Sequence, residues 1–145
     1  MPRLVDGDNL LGTWPGRSRA AEDKRALSRE VDAFTRRDRR SCTLVFDGAR
    51  PEGIAFAADT VFSGPGRSAD DVILERVRAA ADPRGVVVVT HDRSLADRCR
   101  AAGARIESPR AFRARLSGSP DGEKPAREDD VESWLREFGG EPSGE

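Results

Sequence analysis

Five aspartates, Asp6, Asp47, Asp70, Asp71 and Asp92, each stand at the end of an apolar run or at the start of a helical one. Carboxylates gathered at one place repel one another and need either raised pKa values or a bound cation. A hard divalent ion removes that conflict. Mg²⁺ takes oxygen ligands in octahedral geometry and keeps several waters, which suits a few aspartates plus a phosphate. Zinc-type chemistry has no matching pattern, because Cys42, Cys99 and the lone His91 form no CxxC or His-rich cluster. An aspartate–Mg²⁺ site polarises a phosphodiester and lowers the pKa of a bound water, so phosphodiester hydrolysis is the reaction to expect.

Each aspartate also has a purely structural explanation. Asp6-Gly7 and Asp47-Gly48 are turn dipeptides, Asp70 and Asp71 complement a helix dipole, and Asp92 can cap a helix. Such local preferences do not require all five to fall on one edge of a sheet. Whether they do depends on the elements that carry them.

The elements read as an alternation of strands and helices. Residues 2–6 form a short apolar segment, and residues 17–40 a charged helix with Leu27, Val31 and Phe34 on one stripe. Cys42-Thr43-Leu44-Val45-Phe46 is a strand ending at Asp47, and a further strand lies near Thr60-Val61-Phe62. Ser68 opens a helix reaching about residue 81, with Asp71 at the N3 position of a variant capping box. Residues 85–92 hold four consecutive valines, the signature of a central strand buried on both faces. A helix over 93–102, a strand at 104–107 and a helix from Pro109 to Leu116 complete the pattern. The expected class is α/β, a doubly wound and mainly parallel sheet. In such a sheet the ligand site lies outside the carboxyl ends of the strands, which is the rim where Asp6, Asp47 and Asp92 end up and where the helix of Asp70 and Asp71 begins.

The chain has 145 residues, 37% of them apolar, enough for one core and too few for two. We read residues 1–116 as one domain, 117–127 as a linker, 128–138 as a C-terminal amphipathic helix and 139–145 as a tail. That last helix places Val131, Trp134, Leu135 and Phe138 at i, i+3, i+4 and i+7, and it is expected to dock in cis or on a protein partner. No run approaches the roughly 20 apolar residues of a membrane span, and the N-terminus has no stretch of signal-peptide length. A cytoplasmic location with reduced, buried cysteines is the expectation. The net charge of −1 provides no global positive field, so any RNA must be held by local patches.

Two such patches suggest themselves. Pro-Gly-Arg-Ser occurs at 15–18 and again at 65–68, each time before a predicted helix, so Arg17 and Arg67 are candidate phosphate contacts beside helix N-termini. Residues 17–40 also carry nine basic against five acidic side chains, a balance that a solvated helix face explains equally well. Trp14, in a Gly/Pro loop, is a candidate base-stacking residue or simply packs over the loop.

Val5-Asp6-Gly7-Asp8-Asn9-Leu10-Leu11-Gly12, Val45-Phe46-Asp47-Gly48, Ser68-Ala69-Asp70-Asp71-Val72-Ile73 and Val89-Thr90-His91-Asp92 together resemble the successive motifs of YacP-like NYN domains, over about residues 3–116. The resemblance implies a PIN-like nuclease core acting on RNA, with the five aspartates as metal ligands or organisers of the attacking water. Asp6, Asp70 and Asp92 are the expected joint ligands of Mg²⁺, with Mn²⁺ as a substitute. Asn9 fills the family's Asp-Gly-x-Asn position, where it orients the loop or contacts a phosphate, and Thr90 is a further substrate-side candidate. Asp8 fills the variable slot of the same motif. The expected substrate is single-stranded RNA, either free or delivered within a larger RNA–protein complex. Two other readings compete. Asp6-Gly7-Asp8 is similar to the nucleophile motif of haloacid-dehalogenase-type phosphatases, but the later lysine of that family has no counterpart here, since Lys124 follows the last strand. A non-catalytic RNA- or protein-binding module of the same fold is the second.

Overall fold

A computed structural model describes residues 2–57 and 59–118. The described residues form five strands, β1 (Arg3–Asp6), β2 (Cys42–Phe46), β3 (Asp59–Phe62), β4 (Val87–Val89) and β5 (Arg105–Glu107), with helices between them except from β2 to β3, which a loop joins. The helices are α1 (Gly7–Gly12), α2 (Ala21–Asp38), α3 (Ala69–Ala79), α4 (Arg93–Ala101) and α5 (Pro109–Leu116), with a 3-10 turn at Pro83–Gly85. All four strand pairings are parallel and the order is β3-β2-β1-β4-β5. The described residues divide between two units, one ending at Pro109 and one beginning at Arg110, and the first holds the whole sheet.

The sheet is covered on both faces, and strand periodicity decides which residue goes where. In a parallel pair, partners in register point to the same side. Leu4, Val45 and Val88 share one face and join Val72, Ile73 and Val77 of α3 and Leu95 and Cys99 of α4 in a single buried cluster. Val5, Leu44 and Phe46 take the opposite face, the side on which the Arg3 guanidinium lies 5.9 Å over the ring of Phe34 in α2. Leu27, Val31 and Phe34, the expected stripe of α2, are all buried. The central strands β1, β2 and β4 are buried at every position, whereas the edge strands β3 and β5 are partly exposed. This is the doubly wound parallel sheet that the valine runs implied.

Three local features differ from the sequence reading. A short helix, α1, follows β1 directly where only a turn was expected. It forms because Gly7 lets the backbone approach Phe46 closely: a Cβ there would stand 2.3 Å from the ring. Helix α2 begins at Ala21 rather than 17, since Ser18 turns its hydroxyl and backbone N–H toward Asp23 and does not serve as the cap. Strand β4 is confined to Val87–Val89 because Gly85 belongs to the 3-10 turn and Thr90 leads out toward α4. The helix expected at 128–138 lies outside the described residues.

The order β3-β2-β1-β4-β5 fixes the position of the site. From β1 the chain winds outward through β2 to β3, then returns to the other side of β1 for β4 and β5. The connections therefore diverge between β1 and β4, and the crevice at their carboxyl ends is where open α/β sheets bind ligands.

Candidate active site

At that crevice an open cavity of about 430 Å³ is lined by Asp6, Asp8, Asn9, Arg19, Lys24, Asp47, Asp70 and Asp92. Four of the five aspartates singled out in the sequence thus meet in one place. Five carboxyl groups, counting Asp8, face two basic side chains.

The anchoring of each carboxylate is local and specific. Asp6 ends β1 and is 5% exposed. Its Oδ2 accepts a hydrogen bond from Thr90 Oγ1 at 2.9 Å, which ties the end of β1 to the end of β4 across the divergence point. Thr90 Oγ1 also accepts from the Asp92 N–H at 3.1 Å, so one hydroxyl orders two acidic positions. Asp92 caps α4, its Oδ1 accepting from the Leu95 N–H at 3.1 Å. Asp47 accepts from the Ala69 N–H at 2.6 Å at the start of α3, the turn that also presents Asp70. Asn9 Oδ1 accepts from the His91 N–H at 2.7 Å, stitching α1 to the loop after β4.

Electrostatics in the cavity are those of crowded like charges. Burial, reinforced by the nearby Asp70 and Asp47 carboxylates, pushes the Asp6 carboxyl from 3.8 up to about 7, against the lowering effect of its Thr90 and Asn9 hydrogen bonds. Asp70 is raised too, by burial first and then by Asp92 and Asp47. A cation placed among them would relieve this repulsion.

The remaining site candidates lie elsewhere. Asp71 is exposed and completes the capping box, its side chain accepting from the Ser68 N–H at 3.0 Å while Ser68 accepts from the Asp71 N–H. Those bonds hold the Asp71 carboxyl below its usual range. Arg17 makes a two-pronged ion pair with Glu30 and stacks 3.9 Å over Trp14. Arg67 pairs with Glu75 at 2.7 Å on the surface. Neither arginine lines the carboxylate cavity, and Trp14 is engaged by Arg17 on one ring face.

Three cavity residues were not assigned to the site from the sequence. Asp8 is 8% exposed; its Oδ2 accepts from the Asp47 N–H at 2.7 Å, and its Oδ1 lies 3.5 Å from Lys24 Nζ. Lys24 reaches in from α2, with its ammonium 5.2 Å from the centre of the Phe46 ring. Arg19 donates from Nε to the Asp8 carbonyl at 3.2 Å. The only sequence signal for the two cations was the general basic excess of residues 17–40.

The donor set suits a hard cation, since every anionic group in the cavity is a carboxylate and no thiol or imidazole lines it. Among the described residues, however, no three His, Cys, Asp or Glu side chains form a ready-made cage, and that holds for Asp6, Asp70 and Asp92. The residues therefore fit an ion that keeps much of its water and takes only one or two carboxylates at once, which is the habit of Mg²⁺.

A doubly wound parallel sheet with an aspartate-lined cavity at its divergence point is the class of protein so defined. The YacP-like NYN domain family matches residues 3–136, and the chain belongs to that family. The match runs past the boundary read at residue 116. The family is PIN-like and made up of nucleases, so a ribonuclease is the activity at family level. The fold is similar to two crystal structures of Rae1 (YacP) from Bacillus subtilis. One, of a single-residue mutant, is 22% identical with a TM-score of 0.70, covering 81% of this chain and 76% of that one. The other is 21% identical with a TM-score of 0.66, covering 81% and 74%. No curated protein matches the chain. Among the described residues no helix is long and apolar enough to cross a membrane. The haloacid-dehalogenase reading gives way to the family match: Asp8 is engaged by Lys24 and the Asp47 N–H, on a helix that continues β1.

Both cysteines are buried free thiols. Burial pushes Cys42 up to about 12 and Cys99 up to about 11, which leaves them unreactive at neutral pH.

Proposed function

We propose that the chain is a divalent-metal-dependent ribonuclease that hydrolyses phosphodiester bonds within single-stranded RNA at the aspartate cavity. One observation carries the reading. Asp6, Asp47, Asp70 and Asp92 come from four separate segments yet line one cavity, and the proximity of Asp47 and Asp70 helps raise the Asp6 carboxyl. A structure with no use for these charges would be expected to spread them apart.

Asp6, Asp70 and Asp92 would together hold Mg²⁺, or Mn²⁺ in its place, one or two of them directly and the rest through the ion's waters. Bound there, the ion would supply charge neutralisation for the phosphate and a more acidic water. The chain's own groups do the rest. Thr90 fixes the orientation of Asp6, and Asn9 holds the His91 backbone at the cavity wall. Asp47, anchored on the start of α3, would take a proton from a water at the phosphate. Lys24 and Arg19 are the cavity's two fixed positive charges and are suited to non-bridging phosphate oxygens.

Labelled single-stranded RNA incubated with Mg²⁺, with Mn²⁺ and with EDTA tests the reading. Cleavage should require the ion and disappear in Asp6→Asn, Asp70→Asn and Asp92→Asn while the fold persists. RNA binding that survives EDTA, with no cleavage under any divalent ion, would instead establish a non-catalytic binding module.

A further inference from the structure

The carboxylate cavity poses a problem for its own substrate. RNA is a polyanion, and a pocket with five carboxylates and two cations does not attract it. Binding strength has to come from cationic groups nearby, reached by the same strand.

A second cavity, of about 460 Å³, is built around the segment that leads from β4 to α4. Its wall includes Thr90 and His91. Thr90 is bonded through its hydroxyl to Asp6 of the first cavity, and His91 through its N–H to Asn9 of the first cavity. Two hydrogen bonds thus connect the linings of the two cavities. In the second cavity the balance of charge is reversed. Arg93 and Arg100 of α4 line it against the single carboxylate of Asp97. Arg93 is exposed, and its side chain makes no hydrogen bond or ion pair with the described residues. Arg100 meets Asp97 only at 3.4 Å, with both side chains 60% or more exposed, a contact too weak to hold the guanidinium in place. Ala96 and Ile106 supply an apolar floor, and His91 is exposed at the rim.

We infer that this second cavity is a nucleotide-binding subsite for the RNA strand whose scissile phosphate occupies the first. Arg93 and Arg100 take a phosphate flanking the cleaved bond. The attached base lies on the Ala96–Ile106 floor with His91 against its face, the mode in which unpaired bases are held by apolar and aromatic groups. The inference rests on the ribonuclease reading for the identity of the strand. Its placement rests on the two hydrogen bonds by which Thr90 and His91 of this cavity hold Asp6 and Asn9 of the first, and on the reversed charge.

Two measurements test it. In EDTA, titration of the whole protein with a short single-stranded oligoribonucleotide should perturb the amide resonances of Ala96 and Ile106 as well as those of the first cavity. In the cleavage assay, Arg93→Ala with Arg100→Ala should raise KM roughly ten-fold or more, the usual effect of losing charge-assisted contacts. The same double variant should reduce the salt slope of RNA binding by about 0.7 per arginine. Arg93→Lys should restore most of the slope, and circular dichroism should show the variants folded. Resonance shifts at Ala96 and Ile106 without cleavage would uphold the subsite and sink the nuclease reading. Cleavage with unshifted resonances there, and with KM and salt slope equal to those of the parent, would overturn the subsite.

Discussion

Replacing Asp6 by Asn should stabilise the protein, and by an amount that depends on pH in a defined direction. Asp6 is 5% exposed, and its carboxyl titrates near 7 in the folded chain against 3.8 ordinarily. The folded state therefore binds a proton that the unfolded state has already lost throughout the window between those values. Stability then falls as pH rises from about 4 to about 7 and stays low above it. The separation corresponds to roughly 4 kcal/mol. Asn mimics the neutral carboxyl and can still accept the Thr90 hydroxyl, so it escapes the penalty. Near pH 4 the two proteins should be about equally stable; by pH 8 the Asn variant should be ahead by up to roughly 4 kcal/mol. Urea unfolding in EDTA at intervals across pH 4–8 measures the gap directly. Asp70, also raised, titrates in both proteins and to first order drops out of the difference. A gap that stays constant with pH, or an Asn variant less stable at pH 8, would refute the account of a desolvated, crowded Asp6.

The same carboxyl links metal to protons: millimolar Mg²⁺ should raise the melting temperature of the parent protein more at pH 8 than at pH 5.5, because Asp6 must lose its proton to bind a cation, and Asp6→Asn should lose most of the effect. Calorimetry at the two pH values checks both statements. The two Pro-Gly-Arg-Ser repeats should respond differently to Ser→Ala. Ser68→Ala removes half of a reciprocal capping box and should cost about 1 kcal/mol, whereas the Ser18 hydroxyl bonds Ala20 and Asp23 but no backbone N–H of the first helical turn, so Ser18→Ala should cost less than half of that, as chemical denaturation can resolve.

Those repeats show where reading the sequence stops short. Ser68 is followed at N3 by Asp71, and this pairing makes it a cap; Ser18 has Ala21 at the same spacing and bonds the carboxylate of Asp23 instead, so the chain turns before the helix begins. The strands that carry Asp6, Asp47 and Asp92 were legible because buried parallel strands are unbroken apolar runs, and the rim rule then gathers their ends. Lys24 and Arg19 were not legible as cavity residues. A helix period shows which stripe of α2 is buried, but the side from which a long basic side chain reaches the rim depends on the tertiary packing of α2 against β2 and β3. Helix α1 was missed for a related reason. Asp6-Gly7 carries a turn signal, and only the contact between Gly7 and Phe46, 39 residues on, favours the helical continuation.

The choice between aspartates as caps and aspartates as ligands, posed by the sequence, dissolves in the structure. Asp47 meets the first N–H of α3 through Oδ1, and Asp92 meets the third residue of α4 through Oδ1, yet both line the cavity. Each is anchored by one carboxylate oxygen, which leaves the second for whatever occupies the site. The structural role supplies what chemistry needs from a ligand, a fixed position and a restricted rotamer, without an added residue to hold it. A helix N-terminus also presents positive potential to the carboxylate that caps it, offsetting part of the repulsion that gathering such groups creates. The two helix starts that frame the crevice are therefore the reason it can be so acidic. They also explain why local signals along the chain, each complete as a cap or a turn, add up to a site only once the strand order brings them to one edge.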